Sequence, residues 1–373
     1  MVRDYTLARQ VLSDPRFSRS EATTAHAPRF AEVQPIPQSM MSMDGYDHAR
    51  LRRIVAGAFS AQRIAATEPT VARLADEHLD RLAAAGPPAD LIAGLAAPLP
   101  IAVLCGLLGV PLADAEVFGD SVEVLFDITS GPAEMSRRRL ELVRYMTDLL
   151  ARKTGSGDDD LLGMLIAARD RDGMTKQEML AMALALLMAG YETTIGQIGM
   201  SVLTLLTRPD AHRALLDDPD SLPVVVEELL RLDSASPLSF PRVATEAVRL
   251  GDVDVRAGEA VIVSLMHGNR DEQVFAEPDL LRVNGRGPTH LAFGHGIHRC
   301  LGAPLARLQL HVVLGRLLTR FPDLRLADGP DAVLWKDGLA TRGLARLMVE
   351  WQPVDRSPGE ATRAPLPARA RAR

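Results

Sequence analysis

Thr175 and Glu178 form a Thr-x-x-Glu capping box, and a helix-compatible run continues from it to about Leu206. At about 1.5 Å per residue this helix is roughly 45 Å long, enough to cross a whole domain. Its continuous apolar stretch, Met179 to Gly190, is followed directly by Tyr191 and Glu192. That stretch is too short for a membrane span and fits a buried helix. The first 210 or so residues read as mainly helical, with apolar periodic segments separated at Gly86-Pro87-Pro88 and from Gly155 to Asp160. Helical periodicity resumes from Pro209 through Leu232. Beyond Pro237 the pieces are short and β-branched: Val248 to Leu250, Val253 to Val255 and Ala260 to Val263. A loop from Glu277 to Gly296 precedes a last helix, about Leu301 to Arg320, and Val333 to Trp351 reads as another β pair. The expected class is mainly α with small β-sheets.

Two cysteines, Cys105 and Cys300, exclude a disulfide scaffold and any cysteine-cluster metal site. A net charge of −6 and only 4% aromatic residues argue against nucleic acid as a partner. The amino terminus, Met1-Val2-Arg3-Asp4-Tyr5, has no signal-like apolar run, and no membrane anchor is expected; a cytoplasmic monomer is. The Pro-, Ala- and Arg-rich tail, residues 354–373, is expected to be disordered, leaving 1–353 as one domain.

Chemistry concentrates in Phe293-Gly294-His295-Gly296-Ile297-His298-Arg299-Cys300-Leu301-Gly302. Cys300 ends a Gly-rich loop just before an apolar helix, where backbone N–H groups and the helix dipole favour a thiolate. Gly296 and Gly302 remove side chains where a flat group needs close backbone approach. Cys105 lies in an apolar helical segment without polar neighbours and reads as inert core. His267, His290 and His295 show no ligand spacing for a second metal.

The pattern Phe-x-x-Gly-x-x-x-Cys-x-Gly resembles the haem-binding loop of the cytochrome P450 superfamily, whose axial ligand is a cysteine thiolate. The resemblance runs along almost the whole chain. It implies the P450 fold, with haem b between the long helix and the cysteine loop, and Cys300 as iron ligand. Ala189-Gly190-Tyr191-Glu192-Thr193-Thr194 is similar to the family's oxygen-activating segment, which implies proton delivery by Thr193 and Glu192. Thr193 can bond the carbonyl four residues back and open the helix locally, leaving a groove for oxygen and water, and the resemblance implies that Ala189 and Gly190 contact the cofactor. Glu228 and Arg231 match a Glu-x-x-Arg pair whose charges share one helical face. His48, Arg52, Arg242 and His298 match the contacts to the haem carboxylates, and Phe293, Gly296 and Gly302 belong to the cofactor loop.

Two departures stand out. Tyr5 to Ser18 resembles the segment that follows an N-terminal helix and the first strands in the family, so a few dozen residues are expected to be absent. An arginine expected to complete a triad with Glu228 and Arg231 is displaced; Arg286 is assigned to it, with Arg282 as the fallback, since Gly285 holds the expected place.

The implied activity is haem-thiolate monooxygenation of a lipophilic small molecule with O2, by hydroxylation or epoxidation, in bacterial secondary metabolism. No bound flavin or nicotinamide is expected; ferredoxin and an NAD(P)H-dependent ferredoxin reductase supply electrons. An acidic carrier is expected to dock near Arg52, Arg53, Arg299 and Arg307. Substrate-lining positions are expected in the loop Ala22 to Met43, at Leu187 and Ala189, from Pro237 to Phe240, and near Leu339 and Ala340. The alternatives are a haem-binding sensor or carrier without turnover, and an inactive truncated paralogue.

Overall fold

The computed structural model describes residues 1–352 apart from 25, 29–35, 37, 172 and 286. The tail 354–373 and Arg286 therefore lie outside the described residues. The helices are α1 (Tyr5–Ser13), α2 (Gly45–Ala56), α3 (Ala61–Ala85), α4 (Pro98–Leu108), α5 (Ala115–Phe126) and α6 (Pro132–Lys153). They continue with α7 (Leu161–Arg171), α8 (Lys176–Leu206), α9 (Pro209–Asp217), α10 (Leu222–Leu232), α11 (Leu265–Gly268) and α12 (Ala303–Arg320). The strands are β1 (Phe17–Ser18), β2 (Ala89–Asp90), β3 (Arg242–Ala244), β4 (Val248–Leu250) and β5 (Val253–Val255). They end with β6 (Ala260–Val261), β7 (Arg325–Leu326), β8 (Leu334–Trp335), β9 (Leu344–Arg346) and β10 (Met348–Glu350).

The capping box forms as the sequence predicts. Glu178 N–H donates to Thr175 Oγ1 at 3.1 Å, and Thr175 N–H donates back to Glu178 Oε2 at 2.8 Å. Two donors at the start of α8 are thereby satisfied reciprocally. By length and composition α8 passes for a membrane span, but 72% of its most apolar window is buried inside the protein, so it is a core helix. From Ala181 to Val202 every residue is buried except Met188, Ala189, Gly190 and Thr193.

The sheets are small and antiparallel, in the orders β1-β3-β6 and β2-β10-β7, with β4-β5 and β8-β9 as two-stranded ribbons. Register in the first pairs Phe17 with Ala244 and Ser18 with Val243. The expected terminal β pair is divided: β8 and β9 pair with each other, while β10 joins Ala89–Asp90 and Arg325–Leu326.

Three apolar clusters surround the cysteine loop. One joins α3, α10, α12 and the end of α8 through Leu79, Leu229, Leu314 and Ile198. A second joins α2, α6 and the first half of α8 through Leu51, Met146 and Met182. The third joins α1 to the β1-β3-β6 sheet through Val11, Phe17 and Val261. Leu291 belongs to the third cluster, Phe293 packs on the first and Leu301 on the second. The loop that carries Cys300 is thus pinned where the three cores meet.

Candidate active site

Cys300 follows the 3-10 turn Gly296–His298 and precedes α12. Its N–H donates to the Phe293 carbonyl at 2.8 Å, closing the loop. The residue is exposed, yet the protein packed around it desolvates the thiol and pushes its pKa up. Backbone N–H groups of Gly302 and Ala303 and the cations Arg299 and Arg52 oppose that shift and favour the thiolate. Gly296 is required for a reason the sequence does not show. Its φ is +72°, and a Cβ there would lie 2.3 Å from the Leu12 carbonyl oxygen at the end of α1. The steric demand at 296 therefore comes from α1. A Cβ on Gly302 would lie 3.9 Å from Cys300 Sγ, an ordinary contact.

Beside this loop the fold collects buried positive charge. His48 on α2 packs its ring 4.4 Å from that of His298. Arg242 on β3 is buried and donates to the Phe17 carbonyl at 3.0 Å. Two residues without a sequence signal complete the group. Arg19 is buried, donates through Nε to the Met41 carbonyl at 3.1 Å and through Nη1 to the Pro241 carbonyl. Asp44, at the start of α2, makes no cap bond. It accepts instead from Ser18 Oγ, Arg19 N and Ser20 N at 2.7, 2.7 and 2.8 Å, and lies 3.1 Å from His298 Nε2.

Two buried arginines thus face one carboxylate, which leaves an excess of positive charge that burial makes costly. Burial, reinforced by Arg242, lowers the Arg19 pKa to about 10. Burial and then the neighbouring cations lower His48 to about 4. For Asp44 burial acts upward, but the His298, Ser20 and Ser18 donors override it and hold its carboxyl well below the usual range. His48 Nε2 and Arg242 Nε are buried without a hydrogen-bond partner. Unpaired donors in a site of net positive charge fit the carboxylates of a haem, and the accessible sulfur fits its iron. Arg52 is placed differently from the other three expected contacts: its Nη2 donates to the Arg299 carbonyl at 2.6 Å, on the cysteine side.

Between Ala181 and Val202 of α8 only Met188, Ala189, Gly190 and Thr193 are partly open; Gly190 faces Leu104 of α4, which leaves Ala189 and Thr193 as the open stretch. Thr193 Oγ1 donates to the Ala189 carbonyl at 2.8 Å, as expected, and Thr194 Oγ1 to that of Gly190 at 3.1 Å. The expected local opening does not appear as a break. α8 is helical throughout, because these hydroxyl bonds are added to the backbone ladder instead of replacing it. Glu192 is directed elsewhere. It is 1% exposed, and Lys336 donates to its Oε1 at 3.0 Å while also pairing with Glu123 at 3.0 Å. Burial raises the Glu192 pKa against the pull of Lys336, consistent with the unpartnered buried Oε2.

Glu228 and Arg231 form a buried bidentate pair, Nε and Nη2 each 2.8 Å from a carboxylate oxygen. The assigned third member, Arg286, lies outside the described residues. The fallback Arg282 reaches Glu228 through its backbone N–H at 3.3 Å, while its guanidinium turns to the Ala276 carbonyl. Two other expectations need correction. Leu187 is fully buried in the second core and lines no cleft, whereas Ala189, Leu238, Phe240 and Ala340 are exposed. Arg307 is not free for docking, because Glu227 holds it by two bonds of 2.6 and 2.8 Å.

The Cytochrome P450 family model matches residues 122–331. The chain is 43% identical over 344 residues to nocardicin C N-oxygenase of Nocardia uniformis subsp. tsuyamanensis, covering 91% of this chain and 86% of that protein. It is 41% identical over 354 residues to the mycinamicin IV hydroxylase/epoxidase of Micromonospora griseorubida, covering 94% and 89%. The crystal structure of HinD with NMFT and NO superposes with a TM-score of 0.90 at 43% identity, over 94% of this chain and 89% of that one. On these likenesses the chain belongs to the cytochrome P450 family and is a P450 monooxygenase.

Proposed function

We propose that residues 1–353 act as one haem domain, a cytoplasmic monomer that hydroxylates or epoxidises a lipophilic small molecule in bacterial secondary metabolism. The observation that supports it most is the accessible Cys300 sulfur beside a buried site of net positive charge. Haem b, when bound, supplies the oxygen activation and the C–H chemistry. Cys300 holds the iron, and His48, Arg242 and His298, joined by Arg19, hold the carboxylates. The Thr193 hydroxyl, with its proton given to the Ala189 carbonyl, keeps lone pairs that hold a proton-bearing water in the groove. Glu192, adjacent in sequence and paired with Lys336, is assigned as the carboxyl of the same proton relay. The exposed apolar Leu238 and Phe240 suit a lipophilic substrate, and the relatives named for nocardicin C and mycinamicin IV support a secondary metabolite.

Under 18O2, with a reconstituted electron supply, the product is expected to carry one 18O. In Thr193→Ala the same electron input is expected to yield about tenfold or more less product, with hydrogen peroxide in its place, since a positioned proton donor contributes about 10²–10⁴. Label entering from water, or full coupling in Thr193→Ala, contradicts the assignment.

Electrons come, in this proposal, from ferredoxin and its NAD(P)H-dependent reductase, no flavin or nicotinamide being bound. The docking face is reduced to Arg52, Arg53 and Arg299, of which Arg53 and Arg299 are exposed. Arg53→Glu combined with Arg299→Glu is expected to slow reduction by an acidic carrier about tenfold at low salt and to flatten its salt dependence. Stopped-flow reduction that is unchanged in rate and in salt response places the carrier elsewhere.

A further inference from the structure

Phe293 lies in the cysteine loop, and its carbonyl accepts the Cys300 N–H at 2.8 Å. Its ring is held by two groups that share one carboxylate. Arg307 on α12 places its guanidinium 4.6 Å from the ring centroid, and the His290 ring lies 5.8 Å away at 45°. Arg307 Nε and Nη2 donate to the two oxygens of Glu227 on α10 at 2.6 and 2.8 Å. His290 Nε2 lies 3.2 Å from Glu227 Oε2, while its Nδ1 accepts the Ala292 N–H at 3.1 Å. That second bond assigns the proton to Nε2, so His290 donates to Glu227. Burial acts upward on the Glu227 carboxyl, but Arg307 and His290 override it and hold the pKa at about 2, so the carboxylate keeps both donors at neutral pH. Consecutive carboxylates on α10 thus perform separate tasks: Glu228 secures Arg231, and Glu227 reaches the cysteine loop.

We propose that Glu227 is a positioning residue for the thiolate ligand: by fixing Arg307 and His290 against Phe293, it sets the register of the loop that presents Cys300. The inference rests on the haem-thiolate reading of Cys300. Bidentate geometry matters here because a guanidinium held in one plane stacks on the ring in one orientation, which a point charge does not do. Phe293 then transmits that orientation to the Cys300 backbone through a single hydrogen bond.

The test uses haem-loaded Glu227→Gln, Arg307→Lys, Phe293→Leu and the double variant Glu227→Gln with Phe293→Leu. Two quantities are read: the rate at which the ferrous CO complex loses its thiolate Soret band on mild warming, and the haem midpoint potential. Glu227→Gln and Arg307→Lys are each expected to speed loss of the band about tenfold, the scale of a lost charged hydrogen bond. Each is also expected to move the potential in the same direction. If Glu227 acts through Phe293, the double variant changes both quantities no more than the larger single variant does. Multiplying rates and adding potential shifts, or single variants within twofold of the parent, overturn the proposal. Should Glu227→Gln fail to load haem, Arg307→Lys and its double with Phe293→Leu give the same decision. A parent protein without a thiolate band overturns the ligand reading itself, which keeps the two failures distinguishable.

Discussion

Cys300→Ser is expected to remove the strongly red-shifted Soret band from the reduced CO difference spectrum and to abolish turnover, while Cys105→Ala leaves both intact. The chain has only these two cysteines, and the fold treats them oppositely. Cys105 is 2% exposed on α4, and burial raises its thiol pKa to about 11, so it remains a neutral filler of the second core. Its truncation removes one buried sulfur at a cost of about 1–2 kcal/mol and takes away no donor to the Cys300 sulfur. Cys300 is accessible, receives backbone N–H donors from Gly302 and Ala303, and has Arg299 and Arg52 nearby. Serine keeps the size of the side chain but not the soft anionic donor, so iron loses the ligand that favours O–O cleavage. The spectrum therefore separates ligation from folding. Cys300→Ser protein that binds haem and keeps the red-shifted band, or Cys105→Ala protein that loses it, removes the ligand assignment.

What the sequence makes legible is what is local. The α8 start is legible because Thr175 and Glu178 stand three apart and bond reciprocally. The Glu228–Arg231 pair is legible because i and i+3 share a helical face. The cysteine loop is legible as a run of adjacent residues. What escapes depends on partners far along the chain. Asp44 carries no sequence signal, because its carboxylate serves Ser18, Arg19 and Ser20 about 25 residues earlier, and His298 at a separation of 254. Arg19 has no local pattern, because its buried site is assembled from Met41 and Pro241. Glu227 likewise has no local signal, because Arg307 and His290 fold onto it from far along the chain. The two-residue strand β2 is invisible for the same reason, since its partner is Met348–Glu350. Conversely, Glu192 and Thr193 are adjacent in sequence but about 100° apart on the helix, which sends one to Lys336 and the other to the Ala189 carbonyl on the partly open side.

Arg231→Ala is expected to cost the largest stability of any single substitution at a polar position here. Arg231 is 1% exposed, and its guanidinium makes five hydrogen bonds: two to Glu228 and one each to the carbonyls of Asn269, Pro278 and Leu280. It therefore ties α10 to the irregular segment that leads into the cysteine loop. Removing it leaves the Glu228 carboxylate buried without its partner, and three carbonyls without theirs. Breaking a buried pair in this way costs about 3–5 kcal/mol. Against a total of about 5–15 kcal/mol that is a large fraction of the fold's stability. Arg231→Lys is the sharper probe. It keeps the charge but offers three donors without the planar fork, so most of the five bonds cannot be made together. Both variants are expected to lower the urea midpoint and the haem content of purified protein, with Arg231→Ala the more severe. The exposed Arg137, which pairs with Glu134 and Glu141 on its own helix, supplies the contrast. Its change to alanine is expected to shift stability by less than about 1 kcal/mol. An Arg231→Lys protein as stable as the parent would mean that charge alone holds the segment, and that the directed bonds to Asn269, Pro278 and Leu280 do not position the cysteine loop.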